Sequence, residues 1–441
     1  MADGHRLEFL DHAVLQLLKA TGRQQLMQAV WVYGRPVDHD GVRRLHRNLS
    51  GSILNRLIEA SPLPFGRPRW VRPTTPPPLL VADPRPRAEL LDWADSMRNL
   101  PIDPERGPAW HLMLQPFTDG TSAVSVIGSH CIGDGVGALL AIHQAVTGGA
   151  NDVTYDAAGA RSRGEGIVAD LRQAKADLRR SARAAVAVTR TVYGAVRERR
   201  SAHAEVDTRT FIDLPTAAIL VPMAEWDARA ADLSGNSHTL FAAIVARLAA
   251  SLGRRRRSDG AVSLHLAVNR RVSLDDDRAI AMEFARAAIE PDGLPRDLAQ
   301  ARSTLRESRR MLDHQSDPAL ELLPLVPWLP LRAMRKAPDL LFSYADDLPV
   351  SCSNLGDLFP DLARADGTPA DHMLLRGVDS HVTLADLHRS HGHLVAVSGR
   401  LGDAVSISVE SWEIGADNSR QRLRGLLDAA LADFRLSGTH L

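Results

Sequence analysis

The chain has 441 residues, which is long for a single hydrophobic core and predicts two domains or one two-lobed domain. Its 53 basic and 53 acidic residues cancel, which argues against a nucleic-acid-binding protein held by bulk charge. The two cysteines, Cys131 and Cys352, are too few for a disulfide framework or a cysteine-based zinc site.

The first half of the sequence mixes helix and strand patterns. Charges interrupt the N-terminal residues where a signal peptide is apolar, and no uncharged apolar run reaches the roughly 20 residues of a spanning helix, so we expect a cytoplasmic protein. Apolar spacing predicts helices over 7–18 and 37–60, and a strand over 26–34. Alternating apolar residues over 110–130 predict a β-hairpin that turns at Asp119-Gly120.

Composition divides the chain into three parts. Residues 148–165 are rich in Gly, Ala, Asp and Arg, and residues 166–200 form a long basic stretch with helical spacing. We therefore expect an N-terminal lobe over 1–147, a basic helical linker over 148–207 and a C-terminal lobe over 208–441.

The second half again combines helices and strands. Its clearest element is a helix within 234–253, for which Ser237 is the candidate N-cap. A strand is predicted over 261–268, a hairpin over 393–411 and a closing amphipathic helix over 418–434. Strands and helices that mix in both halves predict two α/β lobes.

The segment GSHCIGDGVGALLAI, at 128–142, places a histidine, an aspartate and three glycines within eight residues. A dinucleotide-binding fold would use the glycines to hold phosphate, and an acyltransferase would use the histidine as a base. Residues 133–138 fit G-x-G-x-x-A, but no ribose-binding acid ends a strand about 20 residues further on, and Asp134 would place negative charge beside the pyrophosphate. The remaining alternative is a histidine at a strand end, with glycines that only form a tight turn.

This segment resembles the H-x-x-x-D-G motif of the chloramphenicol-acetyltransferase-like superfamily, because His130, Asp134 and Gly135 match the motif. The superfamily includes non-ribosomal peptide condensation domains, polyketide-associated acyltransferases and the bacterial wax ester synthase/diacylglycerol acyltransferases. Many members have a second histidine at the position of Ser129, so the sequence departs from the motif there.

Three further landmarks follow in the order and spacing of the superfamily. Residues 101–110 look like the wax-synthase segment before the central strands, with Pro108 and Trp110 retained. Residues 234–253 look like the helix that opens the second lobe. Residues 350–356, VSCSNLG, look like the Ser-Asn-x-Gly crossover, at which a strand of one lobe joins the sheet of the other.

The resemblance implies a two-lobed α/β (α+β) fold with mixed sheets and an active-site tunnel between the lobes. It implies an acyltransferase without a bound cofactor, which takes an acyl group from acyl-CoA or from a phosphopantetheine-linked acyl carrier protein. The acceptor is a hydroxyl or an amine, and an ester product is favoured over an amide. Two alternatives remain: a condensation-type enzyme with carrier-bound substrates, and a degenerate homologue that acts as a binding protein.

Acyl transfer needs a base for the attacking group, and a histidine is suited to this because its ordinary pKa is about 6.5. We expect His130 to be this base. Gly135 lets the backbone approach the substrate closely. By resemblance, Asp134 points away from the substrate and pairs with an arginine, for which Arg270 and Arg271 are the candidates.

Three polar residues are candidates for orienting the substrate or stabilising an oxyanion: Ser129, Ser353 and Asn354. A purely structural role for the last two, at the crossover, remains open. Cys131 invites a rival mechanism with a Cys–His pair. Adjacent strand residues point to opposite faces, so Cys131 and His130 diverge, and we expect a buried cysteine with no nucleophilic role.

A second cluster of histidines comprises His381, His388, His391 and His393. The spacing His-x-x-His-x-His is compatible with a metal site. However, no helical pair of ligands and no nearby cysteine supports such a site, and the segment reads as a turn before a strand. We expect no metal.

Three stretches have alternative interpretations as contact surfaces. The proline-broken apolar segment 318–339 and the basic stretch 166–200 could contact a membrane or shape an acyl tunnel. Ordinary packing with a solvated arginine face is the favoured interpretation of 166–200, and ordinary packing is an equal alternative for 318–339. The arginine run 254–257 could meet an acidic carrier domain, but we expect a solvated helix end instead. Partners in solution are therefore an acyl thioester, a small alcohol or amine, and an acyl carrier protein as an option.

Overall fold

The structure is a computed structural model, and it describes residues 5–149, 154–195, 210–314, 318–335 and 347–441. The end of the expected linker, 196–207, and the end of the apolar segment, 336–339, lie outside the described residues.

Helices and strands occur in both halves of the described chain. The α-helices are α1 (Phe9–Thr21), α2 (His39–Ser50), α3 (Leu90–Ser96), α4 (Gly135–Thr147), α5 (Arg163–Ala195), α6 (Met223–Asp232), α7 (Ser237–Ser251), α8 (Ala299–His314), α9 (Pro318–Leu322), α10 (Leu331–Met334), α11 (Leu384–Arg389) and α12 (Arg420–Asp433). The strands are β1 (Gln24–Tyr33), β2 (Leu57–Glu59), β3 (Arg69–Val71), β4 (Leu79–Val81), β5 (Trp110–Pro116), β6 (Ser122–Ser129), β7 (Thr216–Pro222), β8 (Val262–Asn269), β9 (Met282–Ile289), β10 (Val350–Asp357), β11 (His372–Ser380), β12 (His393–Leu401), β13 (Ala404–Trp412) and β14 (Thr439–His440).

The N-terminal lobe is built on a five-stranded sheet with the order β11-β1-β6-β5-β4. β1 pairs antiparallel with both β6 and β11, and β5 and β6 form the predicted hairpin. The two faces of β1 pack differently because alternate residues point to opposite sides of the sheet. Leu26 and Val30 contact the core under α3, whereas Ala29 and Trp31 belong to the core that includes α2 and α4.

The C-terminal lobe is built on a seven-stranded sheet with the order β14-β7-β13-β12-β10-β8-β9. β10 runs parallel to both β12 and β8, and the other pairs are antiparallel, so the sheet is mixed. Val350 and Cys352 of β10 join the core that holds the buried helix α7. The alternate residues Ser351 and Ser353 therefore face the other side, towards the N-terminal lobe.

The strand that joins the two lobes is β11. Although it belongs to the C-terminal half of the chain, β11 pairs with β1 from Ser380 to His372. β10, which contains residues 350–356, pairs instead with β8 and β12 inside the C-terminal sheet. The predicted crossover at 350–356 is therefore wrong, because the apolar face of β10 is committed to the C-terminal core. A single boundary at residue 208 therefore does not separate the two lobes, since β11 comes from the C-terminal half and is part of the N-terminal sheet.

The helix expected over 37–60 is shorter in the structure. α2 ends at Ser50, and residues 57–59 form β2. Between them, the Ser52 hydroxyl accepts the backbone N–H of Leu54 at 3.2 Å and caps a short 3-10 turn. Such a local bond from a side chain to the backbone competes with helix continuation.

The N-cap of α7 is Asn236 rather than the expected Ser237. The Asn236 side chain accepts the backbone N–H of Thr239 at 2.9 Å. The Ser237 hydroxyl is used elsewhere, because it accepts the indole N–H of Trp226 at 2.9 Å.

Helix α5 carries the basic stretch and packs along the N-terminal lobe. Its buried Asp170 accepts hydrogen bonds from Arg6 at 2.8 Å and from Ser61 at 2.5 Å. Asp177, two turns further along the same face of α5, lies 3.0 Å from Nε of Arg67. The acidic residues of α5 therefore fix it to the lobe, while most of its arginines point to solvent.

Candidate active site

His130 is the first residue after β6, where the chain turns towards α4. Its backbone N–H donates to the carbonyl of Gln25 in β1 at 2.9 Å, so the neighbouring strand holds its position. The half-buried side chain lines a cavity of about 940 Å³ between the two sheets. A substrate inside this cavity can therefore contact the ring away from bulk water.

The surroundings of His130 favour the neutral ring. Burial lowers its pKa below the ordinary value of 6.5, whereas the carboxylate of Asp134 acts in the opposite direction. A neutral imidazole carries its proton on one ring nitrogen, so the other nitrogen keeps its lone pair. The side chain is thus able to accept a proton at neutral pH.

Asp134 is buried beneath the turn that follows His130. One carboxylate oxygen accepts the backbone N–H of Gly137 at 2.8 Å and so caps the start of α4. The other accepts the backbone N–H of Ala281 at 2.8 Å, in the chain that leads into β9. Asp134 therefore ties the turn of the N-terminal lobe to a segment of the C-terminal half.

Arg271 completes the partners of Asp134. Its Nη1 lies 2.7 Å from each carboxylate oxygen, and both side chains are 2 % exposed. Arg270, the other candidate, points elsewhere and pairs with Glu283 at 3.0 Å and Asp313 at 2.6 Å. Arg270, directly after β8, points towards β9, and only Arg271 reaches the turn that follows His130.

The pairing of Asp134 with Arg271 also depends on glycine at position 137, which the sequence motif did not predict. A Cβ added at Gly137 would lie 2.5 Å from Nη2 and 3.2 Å from Cζ of Arg271. Nη2 is itself held by the backbone carbonyls of Arg278, at 2.8 Å, and Ala279, at 3.2 Å. The fourth glycine of the segment thus leaves the room that the Asp134–Arg271 pair occupies.

Arg56 is a second arginine at the turn, and sequence reasoning missed it. Its Nε and Nη2 donate to the carbonyl of Ile132 at 3.1 and 2.8 Å, and its Nη1 donates to the carbonyl of Asp277 at 2.9 Å. The guanidinium is buried and lies 4.2 Å from the ring centroid of Trp70. Arg56 therefore connects the turn after His130 to the loop that carries Arg271. No local pattern marks this residue, because its partners lie far away in sequence.

Ser129, Ser353 and Asn354 all line the same cavity. The Ser129 hydroxyl accepts the backbone N–H of Cys131 at 3.2 Å, so it helps to shape the turn. The Asn354 side-chain oxygen accepts the backbone N–H of Gly356 at 2.9 Å, where β10 departs from regular pairing with β12. Ser353 faces the N-terminal lobe, opposite the sheet that holds His130. The oxyanion role of these residues stays a prediction.

Gly135 opens α4 and also lines the cavity. A Cβ at this position would meet Leu355 Cδ2 at 3.5 Å, which is an ordinary contact. Glycine is thus not demanded by neighbouring protein atoms, and the expected close approach of a substrate stays a prediction.

Cys131 is buried in the N-terminal core, where burial raises the pKa of its thiol to about 12. A thiol with this pKa is protonated at neutral pH and is a poor nucleophile. The geometry therefore supports general-base chemistry by His130 and offers no support for a Cys–His pair.

The dinucleotide alternative requires a strand, the glycine turn and a helix that leads to a parallel strand. β6, which precedes the turn, is antiparallel to both of its neighbours, β1 and β5. The turn is therefore not part of a βαβ unit. One N–H group of the first helical turn, that of Gly137, is also occupied by the carboxylate of Asp134.

The second histidine cluster does not converge in space. His381 and His388 are exposed, and His391 is exposed on the turn before β12. His393 is buried and lies 3.2 Å from Glu410 and 3.7 Å from Asp379. His393, Asp379 and Glu410 lie close enough together to hold a cation. However, both carboxylates are already paired with arginines: Asp379 with Arg23, and Glu410 with Arg98 at 2.9 Å.

The arginine run 254–257 is largely used inside the chain. Arg254 is buried and donates to the carbonyls of His391 at 2.8 Å and Pro349 at 3.0 Å. Arg255 pairs with Asp292 at 2.7 Å. The expectation of a solvated helix end is therefore wrong for Arg254, because this side chain holds the turn before β12 against β10.

The apolar segment that begins at residue 318 lies over α1 and lines part of the cavity. Leu320 and Leu323 line the cavity, whereas Trp328 stacks on Phe65 with ring centroids 5.1 Å apart. Its described part thus contributes to a cavity wall. Among the described helices, none combines the length and apolarity needed to cross a membrane.

Comparison with solved structures shows the same fold over the whole chain. The first condensation domain of the calcium-dependent antibiotic synthetase has a TM-score of 0.56 at 16% identity, with 98% of this chain and 99% of that chain covered. The wax ester synthase/diacylglycerol acyltransferase from Marinobacter aquaeolei VT8 has a TM-score of 0.58 at 17% identity, with 98% of both chains covered. The starter condensation domain of rhizomide synthetase has a TM-score of 0.53 at 13% identity, with 98% of this chain and 93% of that chain covered.

No protein-family model matches the sequence, and no curated protein matches it. The solved structures are condensation domains and a wax ester synthase, which are members of the chloramphenicol-acetyltransferase-like superfamily. The two-lobed fold that the sequence landmarks predicted is thereby confirmed.

Proposed function

We propose that the protein is an acyltransferase that moves an acyl group from a thioester donor to a hydroxyl or amine acceptor, with His130 as the general base. The observation that carries this proposal is the position of His130. Its ring lines a cavity between the lobes, on a turn that Asp134, Arg271 and Arg56 hold from below.

The proton follows a simple route. The unprotonated ring nitrogen of His130 takes the proton from the acceptor, and the acceptor oxygen or nitrogen attacks the thioester carbonyl carbon. The carbon–sulfur bond then breaks, and the leaving thiolate receives the proton from His130. An ester or an amide and a free thiol are the products, and the histidine returns to its starting state.

The acceptor must meet a ring that is already neutral, which is what the lowered pKa of His130 supplies. Ser353 lies on the opposite wall of the cavity and is the candidate donor to the developing oxyanion. Asn354 is bonded to the backbone of Gly356 and in this proposal shapes the wall rather than the oxyanion site.

The test is mass spectrometry of products from a panel of acyl-CoA and acyl-phosphopantetheine carrier donors, each offered with alcohol and amine acceptors. We expect an ester or amide with the wild-type protein and almost none with His130→Ala. Products from carrier-bound donors alone would identify a condensation-type enzyme. Tight binding of donors without any product would contradict catalysis and favour a binding protein.

A further inference from the structure

The wall that carries His130 is arranged in rows across three neighbouring strands. Residues opposite one another in β11, β1 and β6 share a face of the sheet, and alternate residues along a strand share it too. Next to His130, the row contains Gln25 and Asp379, which are paired in register. All three residues line the cavity.

The next row on the same face has a single side chain. Met27 of β1 is in register with Gly128 of β6 and with Gly377 of β11, and all three line the cavity. Two residues along a strand span about 6.6 Å, so this row lies one short step from the row of His130. In this row, Met27 is therefore the one residue of the three strands whose side chain extends beyond the backbone into the cavity.

A side chain at Gly128 would crowd its neighbour, whereas one at Gly377 would begin with an ordinary contact. A Cβ at Gly128 would lie 3.3 Å from Cβ of Trp110, and a Cβ at Gly377 would lie 3.4 Å from Cγ1 of Val395. Met27 is half-buried and has a long, flexible side chain that adapts its shape to what it contacts. It is thus placed to set how far a ligand extends past His130.

Beyond Met27 the cavity becomes apolar. The row that follows contains Ala29, Val126 and Leu375, in register. Side chains from α4 and from the chain after β10 complete this part, which we call the apolar arm: Ala29, Val126, Leu139, Ile142, Leu358 and Leu375. These residues belong to, or pack against, one hydrophobic cluster of the N-terminal lobe.

The cavity is polar in the other direction. Arg23, Asp379 and His393 line it there, and Asp379 is bonded to Arg23 at 2.9 Å through Nε. Arg254 and Arg389 line the same end. An aliphatic chain gains free energy from burial against apolar atoms and none from displacing water around these charges.

We infer that the apolar arm binds an aliphatic acyl group of the donor, and that Met27 determines how long an acyl chain the site accepts. This inference rests on the proposed acyl transfer and adds the substrate class to it. The carbonyl carbon lies beside His130, and the chain passes over Met27 between the two glycines into the apolar arm.

The test uses substitutions that change the size of the side chain at position 27. The donors carry butyryl, octanoyl, dodecanoyl and hexadecanoyl groups. Met27→Trp lowers kcat/KM for the long donors by about tenfold or more and for butyryl by less than about threefold, since each excluded methylene loses burial free energy. Met27→Ala shifts the optimum towards longer chains. Met311→Trp, on the exposed face of α8, is the matched control and leaves the profile unchanged.

Binding separates this inference from the proposed function. Calorimetric titration of His130→Ala with sodium octanoate and sodium hexadecanoate, with and without Met27→Trp, needs no turnover. Weaker binding of hexadecanoate alone in the double variant supports the inference even if no donor is ever turned over. A Met27→Trp protein that folds and keeps the wild-type profile in both assays overturns it. A profile that instead changes with Leu17→Trp, on the α1 side of the cavity, would also overturn it.

Discussion

Nη1 of Arg271 lies 2.7 Å from each carboxylate oxygen of Asp134, across 137 positions of sequence, and both side chains are buried. This pair joins the turn that follows β6 to the loop between β8 and β9. It fixes the turn from below and leaves the ring of His130 facing the cavity.

Asp134→Asn removes the charge that compensates Arg271. We expect the free energy of unfolding to fall by about 3–5 kcal/mol, as in other buried pairs that lose one partner. Activity falls as well, because an amide has one oxygen and cannot keep both the bond to Gly137 and the bond to Ala281, so the turn is distorted. Chemical denaturation followed by circular dichroism measures the first effect.

A double-mutant cycle tests the partner. The variant with both Asp134→Asn and Arg271→Met loses less stability than the sum of the two single variants, because the partners contact each other. Arg270→Met is the matched control and is additive with Asp134→Asn, since Arg270 pairs with Glu283 and Asp313. Additivity at Arg271 would remove it as the partner.

His130→Ala removes the proposed base. We expect turnover to fall by roughly 10² to 10⁴, the range typical of lost acid–base catalysis, with little change in thermal stability because the side chain faces a cavity. Steady-state kinetics and a melting curve measure both quantities. Turnover near the wild-type value would end the mechanism proposed above.

The pH dependence of kcat/KM should report the same residue. A base acts when it is unprotonated, so activity is lost as the pH falls through its pKa and is constant above it. Burial lowers the pKa of His130 below 6.5, and we therefore expect the acidic limb below that pH and a flat profile near neutrality. A midpoint above neutrality in the wild-type protein contradicts a buried neutral histidine as the base.

Cys131→Ala should keep most of the activity. The thiol is buried, and its pKa of about 12 keeps it protonated at neutral pH. Intact-mass analysis after incubation with donor alone should show no acyl adduct. An acyl group trapped on Cys131 would instead indicate a two-step mechanism through a thioester.

Arg56→Met tests the second arginine at the turn. The substitution leaves the buried carbonyl of Ile132 without its donor, at a cost of about 1–3 kcal/mol, and it also removes the bond to the carbonyl of Asp277. We expect lower stability and a lower kcat with a smaller change in KM, since Arg56 positions the turn and does not line the cavity. Arg56→Lys, which keeps a donor, should recover part of kcat. A loss of stability with kcat unchanged would limit Arg56 to a structural role.

The sequence by itself determined the features that depend on neighbours along the chain. The hairpin of β5 and β6 follows from alternation and the turn at Asp119-Gly120, and α7 follows from its apolar run. For these two elements, backbone preferences and the spacing of apolar residues are local properties that can be read directly from the sequence. The two-lobed fold was predicted from the resemblance to the superfamily, which His130, Asp134 and Gly135 carry together with the further landmarks.

Only the tertiary structure decided which distant residues meet. It selected Arg271 over Arg270, brought Arg56 to the turn, made β11 the crossing strand and placed Met27 between two glycines. These outcomes depend on pairing between segments more than fifty positions apart, where one residue of register reverses the face that a side chain occupies. No spacing within a single segment contains that information, because the register is set by the packing of both sheets together.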